Sequence, residues 1–131
     1  MLLDTSGLYS FFDDKDFRHV AASLFVESAQ VRLTTNYVLA EFIPLCQTRG
    51  LNRQNTLEFV ETLVNNPLIE IVWIGEDLHN KTFALLQNRV DKNYSLCDAT
   101  SFVIMRERGI SEALTTDKHF EQEGFVKLLK S

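Results

Sequence analysis

The chain carries no run of lysine or arginine, and its formal net charge is −5. That excludes a wide basic face binding nucleic acid by bulk charge, though not phosphate held through a bound metal. Glycine and proline are scarce, five and two in 131 residues, which argues against long loops and flexible linkers. Only two cysteines occur, Cys46 and Cys97. They lack metal-site spacing, fall inside expected helices, and read as reduced core residues of a cytoplasmic protein. No basic segment followed by an apolar stretch marks a signal peptide. The longest apolar runs are strand-sized, so no membrane span is expected.

What is present is the composition of a packed core: 45% apolar residues, with ten phenylalanines. It argues against disorder and suits one domain over residues 1–131. Strands are expected over residues 1–3, 31–35, 68–74, 110–116 and 125–129. The run at 68–74 is apolar on both faces, as in a covered sheet. Helices are expected over 8–12, 16–28, 36–48, 52–64, 76–90 and 95–108, with a short turn or helix from Lys118. Asn36, Asn52 and Ser95 read as N-caps, and Gly50 and Gly109 as helix stops. In the second helix Phe17, Val20, Ala21, Leu24 and Phe25 share a helical stripe. Alternating strands and helices imply a mainly parallel sheet with helices on both faces, an α/β fold.

Four acidic residues stand out against this frame: Asp4, Glu41, Asp98 and Asp117. Asp4 and Asp117 follow strands, where α/β sheets bind ligands. Each could equally be an N-cap or Asx-turn residue. Glu41 falls among Tyr37, Val38 and Leu45 in an apolar stripe, so a buried arginine partner is the competing explanation. Asp98 shares a face with Phe102 and Met105, and Ser95 to Asp98 has the spacing of a capping box. Carboxylates buried without partners are costly, and pairs of them repel by about 4 kcal/mol at ~4 Å and an effective dielectric near 20. A divalent cation relieves both problems, and hard oxygen donors suit Mg²⁺ or Mn²⁺. Thr115 shares a strand face with Asp117 and could hydrogen-bond a metal-bound water.

The stretches LLDTSGLYSFF, TTNYVLAEFIPL, YSLCDATSFVIM and ALTTDKHFEQEGF carry these acids in order. Together they resemble the PIN-domain family, metal-dependent ribonucleases that include the toxins of bacterial toxin–antitoxin pairs. The resemblance covers nearly the whole chain. It implies a three-layer α/β/α sandwich with a five-stranded parallel sheet, and Asp4 and Asp117 on neighbouring central strands. It also implies the four acids as catalytic metal ligands, Thr5 and Thr115 as polar groups supporting them, and Ser95 as the cap before the third acid. The activity implied is Mg²⁺- or Mn²⁺-dependent hydrolysis of single-stranded RNA, leaving a 5′-phosphate and a 3′-hydroxyl. An antitoxin protein and a homodimer partner are implied as well. Cys97 departs from the small or hydroxyl residue common before the third acid.

Arg49, Arg53, Arg89 and Lys92 are the candidates for steering RNA. His19, His79 and His119 lack ligand spacing and read as surface or rim residues, and no residue is placed as a clear general base. Phe11, Phe12, Phe17, Phe25, Phe42 and Phe59 read as core, or in part as a groove for a partner helix. Two other functions are open. Asp4 could be a phospho-acceptor in a phosphatase or receiver-like module, although Ser6 stands where a phosphatase needs a second aspartate. The chain could also be a non-catalytic binding module of the same fold.

Overall fold

The computed structural model describes residues 1–131. The order is β1 (Leu2–Leu3), α1 (Thr5–Phe12), α2 (His19–Ser28), β2 (Leu33–Thr35), α3 (Asn36–Thr48), α4 (Arg53–Asn65), β3 (Glu70–Val72), α5 (Glu76–Gln87), α6 (Leu96–Arg108), β4 (Glu112–Leu114), α7 (His119–Gln122) and β5 (Val126–Lys127). The five strands form one sheet in the order β3-β2-β1-β4-β5. Every pairing is parallel, and the β1–β4 register sets Leu2 against Ala113 and Leu3 against Leu114.

Strand alternation divides the core in two. Leu3 and Leu114 point to the face covered by α1 to α4, where Leu8, Val38, Phe42, Cys46 and Leu63 pack. Leu2, Leu33 and Ala113 point to the other face, under Phe102, Met105 and Phe120. Helices on both faces of a parallel sheet make the three-layer α/β/α sandwich. No helix is long and apolar enough to cross a membrane.

Chain order runs outward from β1 to β3, then returns past β1 to β4. The carboxyl ends of β1 and β4 therefore flank the switch point where such sheets form a crevice. Gly7 lets α1 close on this edge: a Cβ there would sit 1.8 Å from the Leu114 carbonyl oxygen.

Several local expectations change. The N-cap of α3 is Thr35, whose hydroxyl accepts from Val38 N; the Asn36 side chain instead accepts from Ile74 N at 2.6 Å. One residue of shift lets Asn36 tie α3 to the end of β3. Helix α2 starts at His19, after a turn, and its core-facing residues are Ala22 and Val26. Phe17, Val20 and Leu24 point outward, 77%, 69% and 60% exposed, so most of the expected stripe faces solvent, while Phe25 packs half-buried against the core. The apolar run at 68–74 forms an edge strand with Trp73 65% exposed, not a strand covered on both faces. Asn52, Ser95 and Gly109 do serve as helix caps, the last with φ 65°.

Candidate active site

Asp4 ends β1 and heads α1 with the extended backbone of an N-cap, yet its carboxylate caps nothing. Thr115 Oγ1 donates to Asp4 Oδ2 at 2.7 Å and accepts from Asp117 N at 3.0 Å. Ser6 Oγ lies 3.2 Å from the same hydroxyl and accepts from Thr116 N at 3.0 Å. This hydroxyl pair ties the start of α1 to the end of β4. Asp4 is only 5% exposed. Burial pushes its carboxyl up to about 7, with Asp98 and Asp117 adding to the rise and the Thr115 hydrogen bond opposing it.

Asp98 sits in the first turn of α6, where both arms of the capping box form. Ser95 Oγ accepts from Asp98 N at 3.0 Å, and Asp98 Oδ2 accepts from Ser95 N at 3.1 Å. The cap leaves Oδ1 free. Burial raises this carboxyl too, and the charge of Asp117 adds to the rise. Asp117 follows β4, and its Oδ1 accepts from His119 N at 2.9 Å in a tight turn. A capping role in Asp98 and a turn-forming role in Asp117 thus coexist with a place in the cluster.

Glu41 is exposed, contrary to its expected place within an apolar stripe. The buried side of α3 is Val38, Leu39, Phe42 and Cys46, and Glu41 lies at its margin. No buried arginine accompanies it; Thr5 Oγ1 donates to its Oε1 at 3.1 Å. Cys97 links it to the others. Burial first, then the charges of Glu41, Asp4 and Asp98, push that thiol far above its usual value. The thiol therefore sits among three of the four acids.

His119 is not a rim residue. Its Nδ1 lies 3.3 Å from Asp98 Oδ2 and 3.4 Å from Asp117 Oδ1. Potential donor atoms of Asp98, Asp117 and His119 all fall within 4.8 Å of one another. Asp4 stands outside that tight set but within reach of its charge, and Glu41 is linked to it through the Cys97 thiol. None of the four acids pairs with lysine or arginine; His119 is their one basic partner. The only sequence signal for His119 is its position two residues past Asp117, where a tight turn folds it back; the spacing rules for metal histidines do not detect this. Ser6 gives no sequence signal either, since a serine after a strand reads as an ordinary turn residue.

The other histidines do lie elsewhere: His19 bonds Ser10 O, and His79 bonds the Tyr37 hydroxyl. Among the expected RNA-steering residues, Arg89 is tied to Glu123 at 3.0 Å and Lys92 lies 3.6 Å from Asp91. Arg53 bonds the Gln47 side chain. Arg49 stacks over Tyr9 at 5.1 Å and lines a small polar cleft with Ser6 and Thr116.

Comparison with known proteins bears on the family. The chain is 30% identical over 129 residues to the 23S rRNA-specific endonuclease VapC20 of Mycobacterium tuberculosis strain CDC 1551, covering 98% of this chain and 97% of the relative. The same identity and coverage hold for VapC20 of strain H37Rv. The crystal structure of Mycobacterium tuberculosis VapC20, a Sarcin-Ricin loop cleaving toxin, superposes with a TM-score of 0.87 at 27% identity, covering 99% of this chain and 98% of that one. The family model of the PIN domain matches residues 1–125. On fold, on sequence and on the run of its motifs, the chain belongs to the PIN-domain family.

Proposed function

We propose that this chain is a metal-dependent endoribonuclease, the toxin of a toxin–antitoxin pair, hydrolysing phosphodiester bonds of single-stranded RNA. One observation carries the reading: a buried Asp4 without any lysine or arginine partner, within charge reach of Asp98 and Asp117. Two structural features support a divalent cation at this place. Asp98 keeps one carboxylate oxygen out of its cap, and the donors are hard oxygens at the mouth of the sheet. Asp4, Glu41, Asp98 and Asp117 would hold Mg²⁺ or Mn²⁺.

When bound, that ion supplies Lewis acidity to the scissile phosphate and a more acidic water. The chain's own residues do the positioning. Thr115 orients Asp4, Thr5 orients Glu41, and the Ser95 cap fixes the first turn bearing Asp98. Asp4 is half-protonated near neutral pH without a cation, so cation binding displaces its proton. Neutralising the acids also removes the repulsion a phosphate would meet at a chain of net charge −5.

The relatives' named substrate makes ribosomal RNA the first to assay, as a fragment carrying the Sarcin-Ricin loop beside an unstructured RNA. Cleavage is expected with Mg²⁺ or Mn²⁺, and is expected to vanish with EDTA and in Asp4→Asn and Asp98→Asn. Undiminished cleavage in both variants would overturn the reading. We further propose a single nuclease domain over residues 1–131, working in the cytoplasm. The outward Phe17, in the turn before α2, and Val20 and Leu24 of α2 support an apolar contact with an antitoxin or a second copy. Light scattering of the purified chain separates monomer from dimer.

A further inference from the structure

The proposed metal site uses four carboxylates and leaves His119 without a task, although it is the group most firmly built into the cluster. Its Nδ1 faces Asp98 Oδ2 at 3.3 Å and Asp117 Oδ1 at 3.4 Å. Donors on adjacent corners of an octahedron with bonds of about 2.1 Å stand about 3 Å apart, so the two sides that meet at Nδ1 need to contract by only a few tenths of an ångström, and donor atoms of all three residues lie within 4.8 Å of one another. The ring itself is held from behind. Tyr94 meets it edge-on at 5.1 Å, and the Tyr94 hydroxyl donates to Glu123 at 3.0 Å. Glu123 is in turn fixed by Arg89 at 3.0 Å and Arg106 at 2.8 Å. An imidazole that merely filled space at the mouth of a cleft would need no such backing.

We propose that His119 Nδ1 is a direct ligand of the divalent cation, beside Asp98 and Asp117, and biases the centre toward a first-row transition ion over Mg²⁺. The inference rests on the metal-dependent reading of the four acids. Its chemistry is that of the donor: carboxylate oxygens alone accept Mg²⁺ and Mn²⁺ alike, whereas imidazole nitrogen adds affinity for transition ions and little for Mg²⁺. A ligating Nδ1 leaves the proton on Nε2, and the metal replaces the hydrogen bond that Nδ1 otherwise shares with Asp98 and its close approach to Asp117.

Mn²⁺ is the probe, because it is paramagnetic and its coupling to a bound nitrogen can be read directly. Pulsed electron paramagnetic resonance of the full chain loaded with Mn²⁺ is expected to show modulation from a directly bonded ¹⁴N. His119→Ala is expected to lose that modulation. Calorimetric titration is expected to show Mn²⁺ affinity falling about tenfold in His119→Ala, with Mg²⁺ affinity changing less than about threefold. His119→Asn keeps an amide that can hydrogen-bond both carboxylates, so restored Mn²⁺ affinity in that variant assigns the ring a positioning role and overturns the proposal. Bound Mn²⁺ without ¹⁴N coupling in the unaltered chain also overturns it, while leaving the nuclease reading intact. No Mn²⁺ binding at millimolar metal overturns both. Because the ¹⁴N coupling is read on the unaltered chain, a variant that fails to fold leaves the proposal open to refutation.

Discussion

Two carboxylates in this molecule are drawn out of water, Asp4 fully and Glu123 in part, and they are treated in opposite ways. The Glu123 side chain is 5% exposed and lies against Arg89, Arg106 and the Tyr94 hydroxyl. Burial alone would raise its carboxyl, but hydrogen bonds from those three groups outweigh burial and hold it below its usual value. Asp4 is buried, has only the Thr115 hydroxyl and the Thr5 backbone N–H for support and no cation, and is pushed up to about 7. The first is a completed knot joining α7 to α6 and to the loop after α5. The second is left short of positive charge. A fold that can surround one buried acid with cations, yet leaves a cluster of others without lysine or arginine, has reserved the second place for a ligand that brings its own charge.

The contrast breaks first on activity. Asp98→Asn is expected to lower RNA cleavage by about 10²–10³-fold or more, a loss on the scale of removing one electrostatic partner of a transition state. Glu123→Gln is expected to keep cleavage within about tenfold of the unaltered chain, as measured by initial rates on one RNA. Equal losses in the two variants would erase the distinction.

The pH dependence of stability should differ in sign. In EDTA, Asp4 ionises near 3.8 in the unfolded chain and near 7 in the folded one. Between those values the folded protein holds a proton that the unfolded chain has released. Stability from this group is therefore greatest below about pH 4 and falls as pH rises toward 7, by up to about 4 kcal/mol. Glu123, held low, works the other way: its contribution is present above the unfolded value of 4.5 and fades as pH falls. Urea midpoints at pH 5 and pH 8 check this. Asp4→Asn is expected to flatten the decline toward alkaline pH, and an unchanged decline would count against the burial of an uncompensated charge.

On stability at neutral pH the roles reverse. Glu123→Gln is expected to destabilise by roughly 1–3 kcal/mol, because two arginines and a tyrosine lose their charged acceptor. The partial exposure of both arginines keeps the figure below that of a fully buried pair. Asp4→Asn in EDTA is expected to be neutral or stabilising at pH 8, read as the melting temperature.

The smallest effect concerns the hydroxyl behind Asp4. Thr115→Val removes its one side-chain donor, so about tenfold slower cleavage is expected, with a stability change of about 1 kcal/mol. Rescue by Thr115→Ser would locate the effect in the hydroxyl rather than the methyl.

Much of this is legible in the sequence. Alternating apolar strands and helices specify the layers, because period-2 and period-3.6 patterns bury different faces. Residues local to their caps are also legible: the Ser95–Asp98 box and Gly109 are set by neighbours three residues away or fewer. The four acids are visible because each interrupts an apolar run. What fails depends on tertiary packing. Helical phase assigns Glu41 to the apolar side of α3, but the helix is rotated so that Phe42 and Cys46 take the core. The α2 stripe reads as inward, yet α1 and the sheet are met by the smaller Ala22 and Val26 instead. His119 reads as a rim residue because only the turn after β4 and the ring of Tyr94 bring its imidazole onto Asp98. Periodicity fixes which residues share a side of a helix and leaves open which side faces the sheet.

Calorimetric titration of the unaltered chain with Mg²⁺ and Mn²⁺, beside Asp4→Asn, tests the reserved-site account most directly. The account predicts binding of at least one of these cations at millimolar concentration or below, with proton release near pH 7, and loss of both signals in Asp4→Asn. Absence of binding in the unaltered chain, or equal binding in the variant, would contradict it.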